Sequence, residues 1–326
     1  PLIFVLDGER LFDITRSQVA FLSQTAKIPE AIVVGISNAT RTRDFTTTHT
    51  VLDYFGEIDE GLRESGGADN FLVFLEKELL PHLENNYRLN GYHLLIGHSF
   101  GGLLGAYALS QNSVMDAYIL IDPSLWWDDE VVTQSLDQTT ISDHHPLLCM
   151  SVADSDKYSN EIEQMRNSQL NFQQKLIQLG RLTESEMKLM IYEQDNHGTV
   201  PLRSILDGIE YIFDGYFVEG MTHRSASELI QNFATFEKSM GHDFPAMEEL
   251  VTWLASRKIE DRSYEEGLAL LQMNLDNYPD SWNTAYQLGL IYEKMGKEKL
   301  AQNFFQQSLL LDPENPVLLE KLSTKE

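Results

Sequence analysis

Six short apolar runs recur through the first two thirds of the chain, and stretches with helical spacing separate them. Each run is apolar at both alternating positions, as expected for a parallel strand that is covered on both faces. The runs are Leu2–Leu6, Ala31–Ile36, His93–Ile96, Ala117–Ile121, Leu147–Val152 and Lys188–Tyr192. Helical spacing covers Arg16–Thr25, Ala68–Asn86, Gly102–Gln111, Ile162–Gly180 and Leu202–Phe217. This alternation predicts an α/β fold built on a doubly wound, mostly parallel sheet.

The strand-like runs stop after about residue 222, and the rest of the chain is predicted to be helical. Pro279 and Pro313 stand 34 residues apart, and a 34-residue period is typical of tetratricopeptide (TPR) repeats. Gly289 and Ala301 are small where the two helices of one repeat would cross. We therefore predict a first domain over residues 1–222 and a small all-α TPR-like domain over 223–326, with repeats near 248–281 and 282–315.

The segment LIGHSFGG contains the pattern G-x-S-x-G, with Gly97, Ser99 and Gly101 at its defined positions. In α/β hydrolases this pattern forms a sharp turn between a strand and a helix, and the turn exposes the serine hydroxyl. Glycines flank the serine because the strand and helix backbones pass too close for a Cβ atom. A predicted strand precedes the segment and a predicted helix follows it, which favours Ser99 as a nucleophile.

A serine nucleophile needs an imidazole base, and the base needs a carboxylate that orients it. In this fold the order along the chain is serine, acid, histidine. His197 follows the run Lys188–Tyr192 and is the candidate base. The acid is expected just past Leu147–Val152, where Asp154 and Asp156 both qualify. His98 is set aside, because we expect it to point away from Ser99 across the turn.

Several other residues are expected at the same edge of the sheet, where ligands bind in α/β folds. The backbone N–H of Phe100 and that of Gly8 or Glu9 are the candidate oxyanion donors. Arg41 and Arg43 could bind a carboxylate of the substrate, or could brace their own loop through Asp44. Trp126 and Trp127 could form an aromatic wall of the substrate site, or could plug the edge of the core.

The composition limits the classes of ligand. The chain carries 24 Lys plus Arg against 50 Asp plus Glu, a formal charge of −26, which disfavours nucleic acids and anionic membrane surfaces as partners. No apolar run approaches the roughly 18 residues of a membrane span.

No metal-ligand spacing is found, so we predict no metal and no cofactor. A single cysteine, Cys149, rules out a disulfide within the chain and leaves the cytoplasm and the periplasm open.

Together these motifs resemble the esterase D-like branch of the α/β hydrolases. The resemblance is to the subgroup related to enterobactin and salmochelin esterases that carries a C-terminal TPR extension. It rests on FVLDG, NATRTRDF, LIGHSFGG, IDPSLWW, the His197 loop and the NYPDS tail. It implies ester hydrolysis through an acyl-serine and an acid in a Gly-x-x-acid turn, which maps to Asp156, although Ala153 replaces the glycine. The two opening strands usual in this branch have no counterpart here, so we expect residues to precede Pro1.

The leading hypothesis is thus a carboxylic-ester hydrolase that uses a Ser-Asp-His triad and takes a small-molecule ester as substrate. One alternative is an acyltransferase on the same fold, in which an alcohol replaces water as the acyl acceptor. A second alternative is a binding protein that acts through the TPR-like tail. The tail could contact another protein, the hydrolase domain or a second copy of the chain in a homodimer.

Overall fold

The computed structural model describes residues 1–139, 144–155 and 160–323. It divides into two compact units, Pro1–Asp214 and Gly215–Glu326. The division falls somewhat before the boundary that the sequence predicts near residue 222. Each unit has its own hydrophobic core.

The first unit is built on a six-stranded sheet in which every strand pair is parallel. The strands follow the order β2-β1-β3-β4-β5-β6 across the sheet. Their bounds are β1 Leu2–Leu6, β2 Ile32–Ile36, β3 His93–His98, β4 Ala117–Ile121, β5 Leu147–Ala153 and β6 Met187–Tyr192. The predicted α/β fold with a mostly parallel sheet is confirmed, and each predicted apolar run forms one of these strands.

Helices connect the strands. Each connection begins at the carboxyl end of a strand, which is the edge of the sheet where the predicted site residues lie. They are α1 Gly8–Gln24, α2 Arg41–Phe45, α3 Ala68–Phe74, α4 Leu80–Asn86, α5 Phe100–Ser110, α6 Trp127–Ser135, α7 Asn160–Gln178 and α8 Pro201–Ile212. A π-helical turn, Leu75–Leu79, joins α3 to α4, and a 3₁₀ turn spans Glu60–Leu62. The helix α1 begins at Gly8 rather than near Arg16, because the left-handed backbone of Asp7 (φ 53°) turns the chain straight from strand into helix.

The sheet is covered on both faces, and two close contacts with β4 demonstrate this. A Cβ atom added to Gly105 of α5 would lie 2.5 Å from the side chain of Leu120. A Cβ atom added to Gly208 of α8 would lie 2.9 Å from the side chain of Ile119. Because successive side chains of a strand point to opposite faces, α5 and α8 pack on opposite faces of the sheet. The fully buried β4, AYILI, is therefore apolar on both faces.

The second unit is helical over its described residues. Its helices are α9 Ala226–Met240, α10 Glu248–Glu260, α11 Tyr264–Asn277, α12 Trp282–Lys294, α13 Glu298–Leu311 and α14 Pro316–Ser323. A Cβ atom on Gly289 of α12 would lie 2.5 Å from Cδ1 of Phe305 in α13, so these two helices approach closely at that glycine. The assignment of this unit to the TPR class stays a prediction.

No helix in the described part of the chain is both long and apolar enough to cross a bilayer.

Candidate active site

Ser99 occupies the turn between β3 and α5 in a strained backbone conformation, with φ 59° and ψ −118°. Its N–H donates to the carbonyl of Ile121 at 3.0 Å, which ties the turn to the end of β4. A Cβ atom on Gly97 would overlap the backbone of Gly101, and one on Gly102 would lie 2.8 Å from Cβ of Pro123. The glycines therefore permit the close approach of strand and helix that exposes Ser99.

His197 lies in the loop between β6 and α8. The side chain of Asn196 shapes this loop, because its Oδ1 accepts from the N–H groups of Gly198 (2.9 Å) and Thr199 (3.1 Å). Nδ1 of His197 lies 2.6 Å from Oδ2 of Asp122. A carboxylate oxygen only accepts, so Nδ1 carries a proton, and in the neutral imidazole Nε2 presents its lone pair.

Asp122, the carboxylate that faces His197, follows β4 directly and is buried. Its backbone is left-handed (φ 41°), a conformation that aspartate tolerates better than most residues. Its second oxygen, Oδ1, accepts from the N–H of Ala153 at 3.2 Å and from Nε2 of Gln169 at 3.0 Å. Gln169 of α7 is itself fully buried. Both oxygens of Asp122 are thus held, and the carboxylate has a fixed orientation toward His197.

Of the two aspartates named as candidate acids, the structure describes only Asp154, which has a different partner. Oδ1 of Asp154 accepts from Nη1 of Arg166 at 3.0 Å. This ion pair joins the end of β5 to α7 within the first unit. Asp156 lies outside the described residues. Sequence reasoning missed Asp122 because it placed the acid after the fifth strand, whereas Asp122 follows the fourth. The available signal was an aspartate immediately after an apolar run, the same context as Asp7.

Ser99 and His197 line one cavity of about 450 Å³. Aromatic and apolar side chains make up much of the wall, from Tyr54, Phe100, Trp126 and Met165, and polar groups come from Ser124, Ser155, Gln164 and Asn196. Oγ of Ser99 lies 3.3 Å from Oγ of Ser124, so the resting hydroxyl has a neighbour in the cavity wall. Catalytic hydrogen bonds commonly tighten only when substrate binds, so this resting arrangement is compatible with transfer of the Ser99 proton to His197.

The predicted oxyanion donors belong to two helix N-termini. Phe100 opens α5, and Gly8 and Glu9 open α1. The first N–H groups of a helix have no acceptor within the helix, so they are free to bind an oxyanion. The strands that lead into these helices, β1 and β3, are neighbours in the sheet. The two helix N-termini therefore start at the same edge of the sheet.

Both candidate arginines are engaged by carboxylates of the chain itself. Arg41 binds Asp7 through Nε (2.5 Å) and Nη2 (2.9 Å), and Nη2 also donates to the carbonyl of His98 at 3.0 Å. Nε of Arg43 donates to Oδ1 of Asp44 at 2.8 Å. The Arg43 contact corresponds to the bracing alternative raised from the sequence, whereas Arg41 contacts Asp7 and the carbonyl of His98 rather than Asp44.

The two tryptophans have different surroundings. Trp126 is partly exposed and lines the cavity, where its ring lies 5.3 Å from that of Tyr54. Trp127 is fully buried, and its Nε1 donates to Oγ1 of Thr48 at 3.1 Å. The position of Trp126 corresponds to the aromatic wall, and that of Trp127 to the plug in the core.

His98 is a further residue at the site that sequence reasoning set aside. Its Nε2 lies 2.8 Å from the carbonyl oxygen of His197, and the two imidazole rings are 4.4 Å apart. In the sequence, only the position of His98 next to Ser99 indicated that it belongs to the site, because the loop that it contacts lies about a hundred residues later.

Comparisons with known proteins agree with this fold and with ester hydrolysis. The model of the family described as "Putative esterase" matches residues 1–146. The ferri-bacillibactin esterase BesA of Bacillus subtilis is 27% identical over 226 residues, which cover 63% of this chain and 75% of BesA. A siderophore enterobactin esterase of Emericella nidulans is 27% identical over 173 residues, or 45% of this chain and 56% of that protein. The structure of an IroE-like serine hydrolase of Shewanella oneidensis matches with a TM-score of 0.74 and 29% identity, over 85% of this chain and 89% of the other.

The fold, the site and these similarities define the chain as a carboxylic-ester hydrolase of the serine hydrolase class. Within that class it is similar to siderophore esterases, in the subgroup of the enterobactin and salmochelin esterases. The predicted resemblance to the enterobactin and salmochelin esterases is confirmed, whereas the TPR extension that was part of it stays a prediction.

Proposed function

We propose that this chain hydrolyses carboxylic esters through an acyl-serine intermediate, with Ser99 as nucleophile, His197 as general base and Asp122 as the acid of the triad. The single observation that carries the proposal is the 2.6 Å contact between Asp122 and Nδ1 of His197, beside a cavity that Ser99 also lines. That contact leaves Nε2 of His197 free to take the Ser99 proton.

In the acylation step, Oγ of Ser99 attacks the ester carbonyl while its proton passes to Nε2 of His197. The oxyanion that forms accepts hydrogen bonds from the N–H of Phe100 and from that of Gly8 or Glu9. Collapse of the intermediate breaks the ester C–O bond, and the protonated His197 gives its proton to the leaving alcohol. Asp122 stabilises the positive imidazole during this step.

Deacylation repeats these steps with water. His197 takes a proton from the water as the water oxygen attacks the acyl carbonyl. The bond between the acyl carbon and Oγ of Ser99 then breaks, and His197 gives the proton to Oγ. The carboxylic acid then leaves the site. An alcohol acceptor in place of water would make the same machinery an acyltransferase, so the identity of the acceptor is part of the test.

The cavity supports an ester with aromatic or apolar groups near the scissile bond, because Tyr54, Phe100, Trp126 and Met165 line it. Of the proteins named above, one is named as a ferri-bacillibactin esterase and another as a siderophore enterobactin esterase. We therefore propose a siderophore ester as the substrate class.

The decisive experiment compares the wild-type chain with Ser99→Ala on a panel of aryl and alkyl esters and a siderophore lactone. We expect the variant to lose turnover and labelling by a fluorophosphonate probe while its thermal unfolding stays close to wild type. Added alcohols should not divert the product, and diversion would favour the acyltransferase. Turnover of any panel ester that survives in Ser99→Ala would overturn the assignment of the nucleophile.

A further inference from the structure

One side chain directly links the nucleophile turn to the loop of the base. His98 immediately precedes Ser99 in the sequence, and its Nε2 lies 2.8 Å from the backbone carbonyl oxygen of His197. A carbonyl oxygen only accepts, so the His98 imidazole donates through Nε2–H. His98 is only 2% exposed, which protects this hydrogen bond from competition with water.

His98 also contacts the ring of His197. The ring centroids lie 4.4 Å apart with an interplanar angle of 37°. Burial lowers the pKa of His98 to about 3, and its electrostatic interactions with His197 and Arg10 act in the same direction. His98 therefore stays neutral near neutral pH, and it adds no positive charge beside the imidazolium that His197 becomes during catalysis.

A second donor holds the next carbonyl of the same loop. Nη2 of Arg10 donates to the carbonyl oxygen of Gly198 at 3.1 Å. Arg10 belongs to the first turn of α1, next to the candidate oxyanion donors Gly8 and Glu9. Two consecutive carbonyls of the His197 loop are thus attached to two elements of the site, β3 with its nucleophile turn and α1 with its N-terminus.

We propose that His98 is a positioning residue for the reaction, which fixes the His197 imidazole relative to Ser99 through the carbonyl of His197, with Arg10 as a second attachment point. This inference rests on the proposed function. Without these two donors the carbonyls of His197 and Gly198 would lose their attachment to β3 and α1. The loop would then depend on its internal Asn196 turn, on the Asp122 contact and on the N–H of Ser155, which donates to the carbonyl of Asp195 at 3.2 Å. Because a misplacement of about 1 Å can cost on the order of 100-fold in rate, such attachment is expected to influence kcat rather than substrate binding.

The test compares His98→Leu, which removes the donor, with His98→Gln, whose side-chain N–H can reach the same carbonyl. We expect His98→Leu to lower kcat by about 10- to 100-fold with KM nearly unchanged, and His98→Gln to restore most of the loss. His93→Leu is the matched control, because His93 is a buried histidine at the other end of β3. It should leave kcat close to wild type.

Arg10→Gln keeps the test decisive if His98→Leu does not fold, because Arg10 is exposed and its removal leaves the core intact. We expect a smaller fall in kcat, about 3- to 10-fold, again without a matching change in KM. Unchanged kcat in His98→Leu would overturn the proposal. So would equal losses in His98→Leu and His98→Gln, or an equal loss in His93→Leu, because either would indicate a packing effect.

Ser99→Ala, assayed in parallel, separates this inference from the proposed function. If Ser99→Ala is inactive while His98→Leu keeps full kcat, the positioning role alone fails. If Ser99→Ala keeps its turnover, the proposed function itself fails.

Discussion

Oδ2 of Asp122 lies 2.6 Å from Nδ1 of His197, although 75 residues separate the two in the chain. The contact forms because Asp122 directly follows β4, the strand next to the nucleophile strand β3. The sequence-based expectation placed the acid one strand further across the sheet, after β5. Asp154, which occupies that position, is paired with Arg166 instead.

Asp122→Asn should lower kcat by about 10³–10⁴-fold, because an amide at this position stabilises the wrong tautomer of His197. Asp154→Asn is the matched control, since it neutralises another buried aspartate at a strand end of the same sheet. We expect it to leave kcat nearly unchanged, although its stability falls when Arg166 loses its partner. Steady-state kinetics of the two variants on one ester show which aspartate the reaction needs. A larger kcat loss in Asp154→Asn than in Asp122→Asn would contradict the assignment of Asp122.

Trp126→Ala and Trp127→Ala should separate substrate binding from stability. Trp126 lines the cavity, so its removal should raise KM for bulky aromatic esters more than for acetyl esters. Trp127 is fully buried, and its removal should lower the free energy of unfolding by about 3–5 kcal/mol. Denaturant unfolding and KM values for the two classes of ester measure both effects. The assignment of Trp126 fails if its variant keeps the same KM for every ester.

Arg41→Met should destabilise the first unit, by about 3 kcal/mol, because it leaves the carboxylate of Asp7 buried without its partner. Arg43 is half exposed, and Arg43→Met should change stability little. Chemical denaturation measures the difference. KM for esters with and without a free carboxylate tests the alternative that either arginine binds substrate. A selective rise in KM for the carboxylate-bearing ester would favour substrate binding over bracing.

The stability of the wild-type chain should fall as the pH is lowered below about 6.5, in part because of His98. Burial depresses the pKa of His98 to about 3 in the folded state, whereas an unfolded histidine binds a proton near 6.5. Between these values only the unfolded state takes up that proton, so acid favours unfolding. His98→Gln lacks this proton uptake. The stability difference between wild type and variant should therefore shrink between pH 7 and pH 4, as measured by urea unfolding; a constant difference would argue against a neutral buried His98.

The fold could be predicted from the sequence because its determinants are local. Each strand is a short apolar run, and each connecting helix has its own periodicity, so neither depends on knowing distant contacts. The role of Ser99 could also be predicted from local sequence, because the glycines that it needs are its close neighbours and a strand and a helix flank it. His197 could be named because the order of strands along the chain predicts which loops lie at the catalytic edge.

The remaining parts of the site depend on pairings between residues far apart in the chain. Asp7 and Asp122 both follow an apolar run, but Asp7 binds Arg41 and Asp122 binds His197. Trp126 and Trp127 are adjacent and chemically identical, yet one lines the cavity and the other is buried. The sequence by itself determined the α/β sheet and the turn that carries Ser99. The tertiary structure decided which aspartate faces His197 and which histidine holds its loop, because a hydrogen bond is selected by the positions of both partners and a local pattern contains only one of them.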